Sequence, residues 1–234
     1  QAMNQDREVT MLHFIAAVFL SFATTTGVRA KDMSCGSFAS NIEGTKLDLA
    51  PPVGFVEICA QDAELCQTLT AGYPTSSRTL GYFVMAEEWA RFKKSPAGFS
   101  KFLIAQHAGS MSPEELPDFK RFVRSQQNDI PDHTDLPGVL ESRGRAPIPV
   151  FEDAGDAIAF GTIMKLRTAP PALAKDFILA TTNAALVVKG KVMSLYVGWD
   201  VTQSADVEGA KQQTKMWLNC LRAANRQQAG PKTP

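Results

Sequence analysis

The residues with the widest chemical reach in this chain are four cysteines and three histidines. Cys59 and Cys66 fall within GFVEICAQDAELCQTL (Gly54 to Leu69), with six residues between them. Zinc sites pair cysteines two to four residues apart and repeat the pair; this spacing does neither, and no histidine is near in sequence. A thioredoxin-type redox pair needs Cys-x-x-Cys, and covalent haem attachment needs Cys-x-x-Cys-His. Both motifs are absent. The two histidines beyond the N-terminal segment are His107 and His133. Asp132-His133-Thr134-Asp135 offers ligand types that suit divalent ions. Adjacent side chains seldom converge on one ion, however, and the run lies in a proline-punctuated stretch, so a solvated loop is the expectation. His107, Asp132, His133 and Asp135 therefore stand as candidate binding residues, with no metal or cofactor assigned. Glu87 and Glu88 are adjacent, point to different helix faces and are expected at the surface, as are Lys93-Lys94, Lys120-Arg121 and Arg143-x-Arg145. Gly-x-Ser-x-Gly, the P-loop and Gly-x-Gly-x-x-Gly are missing.

Address decides how the cysteines should be read. Phe14 to Phe22 is an apolar run too short for the roughly 20 residues of a membrane span, and Val28-Arg29-Ala30 follows as a small-x-small cleavage pattern. Residues 1–30 are thus expected to be a secretory signal peptide with an upstream extension, translation starting at Met3 or Met11. The expected location is periplasmic or secreted, with no membrane span after cleavage. In an exported protein an even number of cysteines implies disulfides. Four cysteines allow three connectivities. If Cys59 ends a strand and Cys66 lies one turn into the next helix, their Cα atoms can approach about 5.5–6 Å. The favoured pairing is Cys59–Cys66 with Cys35–Cys220.

The chain has 234 residues, 44% hydrophobic, with 24 basic against 24 acidic side chains. Loss of the leader would remove two of each sign, so the mature balance stays even. With neither a basic excess nor a basic stripe, nucleic acid is not an expected partner. One domain over 31–225 with a disordered tail, 226–234, is the expected organisation.

The elements that must position these residues follow from pattern. Residues 31–52 are turn-rich and read as a lead-in. Val53 to Cys59 is strand-like, and Asp62 is a helix N-cap with Glu64 in the first turn. Thr79 to Met85 reads as a strand, Ala86 to Lys94 as a helix and Phe99 to Gln106 as a strand. Trp89, Phe92, Phe99 and Phe102 are expected in the core. Ser112-Pro113-Glu114-Glu115 is a helix start, with Pro117 marking a separate or kinked first turn and Phe119, Phe122 and Val123 as the apolar stripe. Ile148 to Phe151 and Ala157 to Leu166 flank a turn at Glu152 to Asp156; Phe177 to Val188 and Lys191 to Trp199 flank Lys189-Gly190. Met193, Leu195, Val197 and Trp199 share one strand face. Ser204 caps a final helix whose stripe is Val207, Ala210, Thr214, Trp217, Leu218 and Leu221. Hairpins force antiparallel pairing, so the fold class is α+β: a largely antiparallel sheet covered by helices, α/β/α sandwich-like.

Three stretches, Pro52-Val-Gly-Phe-Val-Glu-Ile-Cys59, Val187-Val-Lys-Gly-Lys-Val-Met-Ser-Leu-Tyr-Val197 and Trp217-Leu-Asn-Cys-Leu-Arg-Ala-Ala-Asn225, resemble uncharacterised exported bacterial proteins with a PsbP-like fold. That resemblance implies a fold and no reaction. Leu49 to Cys66 is also similar to the opening of bacterial transglutaminase-like cysteine proteinases, which need a further nucleophilic cysteine and then histidine and aspartate. No cysteine lies between Cys66 and Cys220. The function expected is therefore a non-enzymatic exported accessory or binding domain, its partner an unknown protein or small-molecule ligand. The alternative is a metal-dependent hydrolase around His107 and His133, or a relative of those proteinases.

Overall fold

In a computed structural model of the chain, residues 34–73, 76–95, 98–109, 111–127, 140–141, 144–167 and 176–226 are described. The architecture is α+β. Seven strands form one wholly antiparallel sheet in the order β3-β4-β5-β9-β8-β7-β6. They are β3 (Phe55–Glu57), β4 (Ser77–Met85), β5 (Lys101–Ala108), β6 (Arg145–Ala154), β7 (Ala157–Arg167), β8 (Asp176–Val188) and β9 (Lys191–Asp200). Two meanders, β3 to β5 and β6 to β9, meet where β5 pairs with β9. The lead-in segment is itself a hairpin, β1 (Ala39–Ile42) and β2 (Thr45–Asp48).

Alternation along the strands decides the layers. Leu103 and Ala105 of β5, Leu195 and Val197 of β9, and Ala184 and Leu186 of β8 face one side, where they pack with Trp217 and Leu218. That side is covered by α4 (Ser204–Arg226) and by the β1–β2 hairpin. The opposite side receives α1 (Ala63–Thr70) and α2 (Ala86–Phe92) against Ile58, Tyr82 and Ile104, and α3 (Leu116–Ser125) against Ile158 and Ala185. Among the described residues the order is therefore helix, sheet, helix.

The α4 stripe is buried at each of Val207, Ala210, Thr214, Trp217, Leu218 and Leu221, and the same helix holds the lead-in segment down. Trp217 Nε1 donates to the Leu49 carbonyl at 2.8 Å, and Asn225 Nδ2 donates to the Asp48 carbonyl at 2.8 Å. Cys35 is bonded to buried Cys220. Arg222 clasps Asp156 in a fork, Nε–Oδ2 2.9 Å and Nη2–Oδ1 2.8 Å, and reaches Glu152 at 3.3 Å, fixing α4 to the β6–β7 turn.

Local differences from the sequence reading have physical reasons. Asp62 does cap α1, accepting from Leu65 N–H at 2.9 Å, whereas Ser204 is the first residue of α4. The entry to α4 is closed instead by Asp206, whose carboxylate accepts from the Thr202 and Gln203 N–H groups. Pro113–Glu115 is a separate 3-10 turn and α3 starts anew at Leu116, which places Pro117 in a first turn that needs no amide donor from it. The β6–β7 turn shortens to Gly155-Asp156, with Glu152 to Ala154 inside β6. Phe122 points outward at 59% exposed, and Leu116, Lys120 and Val123 form the buried side of α3. The leader, the residues Asp132, His133 and Asp135, and the tail beyond Arg226 lie outside the described residues. No helix among those described is long and apolar enough to cross a membrane.

Candidate functional site

Two tight turns and a strand end build a groove around His107. The β1–β2 turn places Glu43 and Gly44 at φ 48° and 84°, and the β8–β9 turn places Lys189 and Gly190 at 49° and 72°. Positive φ at both central residues is the form that matches strand twist in a two-residue hairpin, and glycine at the second position makes it accessible. The two turns are joined by Lys191 Nζ to Glu43 Oε2 at 2.5 Å and by Lys189 Nζ to the Lys46 carbonyl at 2.9 Å. His107, near the end of β5, lies between them. Glu43, His107, Gly190 and Lys191, with Pro113 and Glu115 of the 3-10 turn and Ser112 just before it, line a groove of about 300 Å3.

His107 is held by Nδ1, 3.0 Å from the Val192 carbonyl. A carbonyl only accepts, so Nδ1 carries the proton and donates, which leaves the Nε2 lone pair open in the neutral ring. Nε2 is buried without a hydrogen-bond partner, 3.7 Å from Glu43 Oε1, and the side chain is 12% exposed. Glu43 is drawn below the ordinary carboxylate range first by its hydrogen bond to the Lys191 ammonium and then by that cation's charge. Nε2 is therefore a buried, unpaired acceptor next to a carboxylate that stays ionised. His107 is fixed in orientation by its other nitrogen, as a binding histidine must be. Asp132, His133 and Asp135, the other candidates from sequence, fall outside the described residues, so the structure does not bring them to His107. Among the described residues no group of three or more metal-ligating side chains converges.

The cysteines are fully accounted for. Cys59 is bonded to Cys66 across 4.8 Å between Cα atoms, Cys35 to Cys220 across 5.7 Å, and no thiol is free. A thiolate nucleophile is thereby removed, and the proteinase-like opening is a strand-to-helix corner. The Cys59 N–H and Ala60 N–H are further held by the Glu57 carboxylate at 3.1 and 2.7 Å.

Two charged residues read from sequence as surface are buried. Glu88, 7% exposed, accepts from the Ser100 hydroxyl and from the Ser100 and Lys101 N–H groups at 3.2 and 3.3 Å, so it closes the entry to β5. Lys120 donates to the Ala154 carbonyl and to Asp153 at 3.3 Å, fastening α3 to the edge strand β6. Periodicity could not have exposed either role, because each partner is distant in sequence. Beside α2, a groove of about 550 Å3 includes Glu88, Arg91 and Phe92, but the Glu88 carboxylate is already spent on backbone. Trp89, Phe92 and Phe99 pack on one another, with ring centroids 5.7 and 5.1 Å apart, as core.

No family model matches the chain, and no curated protein is similar to it. Among solved structures, it is similar to the crystal structure of the Saccharomyces cerevisiae Ran-binding protein Mog1p, at 10% identity and a TM-score of 0.34, over 82% of this chain and 94% of that one.

Proposed function

We propose that this chain is an exported, non-enzymatic binding domain, with residues 1–30 acting as a cleaved leader and the folded unit beginning near Lys31. The observation that carries the reading is the pairing of all four cysteines, with Cys35–Cys220 joining the lead-in segment to the buried side of α4. Disulfides persist in oxidising compartments and are rare in the cytosol. The resemblance of three stretches to exported bacterial proteins supports the same address. Ligand contact is assigned to the His107 groove, with Asp132, His133 and Asp135 as further candidates from sequence. A fixed imidazole with an unpaired acceptor nitrogen between two rigid turns suits recognition of a hydrogen-bond donor. A direct test fuses residues 1–30 to a reporter enzyme active only outside the cytoplasm. Reporter activity, lost when Val28 and Ala30 are replaced by bulky residues that block processing, is the expected result. A reporter that stays cytoplasmic would overturn export.

A further inference from the structure

On the sheet side opposite the His107 groove, polarity appears where a seven-stranded sheet should be driest. Register aligns Ile104, Tyr196, Asn183 and Phe160 across β5, β9, β8 and β7. The next row is Gln106, Ser194, Ala185 and Ile158, and the one on the other side is Phe102, Gly198, Thr181 and Thr162. These rows run from the α1–α2 cluster, which includes Tyr82 and Ile104, to the α3 cluster, which includes Ile158 and Ala185. At the centre, Tyr196, Ser194, Asn183 and Thr181 are half-buried, although the same strands bury Leu195, Val197, Ala184 and Leu186 fully on the other side. On the α4 side the buried Thr182 hydroxyl is closed on Thr214, whereas here, among the described residues, hydroxyls and an amide line the face without such a closed pair between strand and helix.

Gln106 supplies the independent sign. It is 4% exposed, and its amide nitrogen has no hydrogen-bond partner. An unpaired buried donor costs free energy that an apolar side chain of the same shape would not, so such a group is commonly kept for a task. Aromatic rings stand around this floor. All three tyrosines of the chain belong to one cluster, Tyr82 among its buried members and Tyr73 and Tyr196 partly buried against it, and Tyr82 stacks on Phe102 at 5.8 Å. The Phe102 ring lies over Gly198, where a Cβ would collide with it. On the far side Phe119 meets Phe160 at 6.4 Å.

We infer that this floor, centred on Gln106, Tyr196 and Asn183 between α1 and α3, is a binding site for an uncharged, hydroxyl-rich ligand of the saccharide class. The three rows contain no charged side chain, which disfavours an ionic ligand. An acyl chain would leave two carboxamides and several hydroxyls dry and unpaired. A sugar presents hydroxyls that both donate and accept, matching amide and hydroxyl partners, and apolar C–H faces that suit aromatic walls. This is a second site, separate from the His107 groove, and it depends neither on that groove nor on export.

Because every tyrosine lies at this cluster, full chain labelled with fluorotyrosine reports on it alone. Titration with chitobiose, cellobiose and maltotriose should shift the Tyr196 and Tyr73 fluorine resonances for at least one sugar. Gln106→Met should weaken that response at least tenfold. In the absence of sugar, Gln106→Met should melt a few degrees higher than the parent, since it removes an unpaired donor while keeping shape. No response to any of the three sugars, a response unchanged in Gln106→Met, or a lower melting temperature for that variant would each overturn the site. None of those outcomes touches the leader-fusion test, so the two readings fail separately.

Discussion

Arg222 is the side chain whose loss should be felt most sharply outside the core. Its guanidinium joins α4 to Asp156 and Glu152, and side-chain exposures of 14% for Arg222 and 36% for Asp156 keep the pair partly desolvated. Arg222→Ala should cost about 1–2 kcal/mol in urea unfolding, discounted from the value of a dry charged pair because Asp156 still meets solvent. The same pair sets an acid limit. The Arg222 hydrogen bond leads the causes that hold Asp156 below the ordinary aspartate value of 3.8. Its contribution is whole above that value and is lost as pH falls through the lower folded-state value. The stability difference between parent and Arg222→Ala should therefore narrow as pH drops below about 4; a difference that is constant to lower pH would contradict the assignment. Trp217→Phe removes the donor to the Leu49 carbonyl and leaves a buried acceptor unpaired, so a loss of roughly 2 kcal/mol is expected by thermal or urea unfolding. At this scale sequence was least informative. His107 could be named from residue type, but Glu43 and Lys191, which give it a setting, come from turns 64 and 84 residues away. Glu88 and Lys120 looked like solvated charge because their acceptors and donors are created by strand ends that local pattern does not show.

Elements were easier to read where polarity alternates or a cap is unambiguous. The Lys189-Gly190 hairpin, the α4 stripe and the Asp62 cap follow directly from spacing, turn chemistry and the N-cap preference. The β1–β2 hairpin was not legible: Glu43-Gly44 sits between strands of four residues each, too short to display a period. What stabilises that hairpin is α4, through Trp217, Asn225 and the Cys35–Cys220 bond. The two disulfides should therefore differ in weight. The sequence separations are 185 and 7 residues, and chain entropy gives about 5 kcal/mol for the long loop and about 2 kcal/mol for the short one. Replacing Cys35 and Cys220 together by alanine should lower the unfolding midpoint clearly more than replacing Cys59 and Cys66. Equal losses, or the reverse order, would show that the lead-in segment is held by packing alone.

At the scale of the whole molecule, hairpins separated by tight turns dictated antiparallel pairing, and the α+β class follows from that. Strand order does not follow from it. The junction of β5 with β9 joins residues about ninety positions apart, and no local signal marks which edges meet. That junction is also what creates the polar floor, since Gln106 and Ser194 become neighbours only through it. Export and oxidation of the chain underlie the proposed binding role. The most direct measurement expresses the full chain in a bacterial host, recovers the protein from the cell envelope and maps its peptides by mass spectrometry without reduction. We predict a new N-terminus at Lys31 and two linked peptide pairs, Cys35 with Cys220 and Cys59 with Cys66. A cytosolic product that keeps residues 1–30 and carries four alkylatable thiols would contradict it.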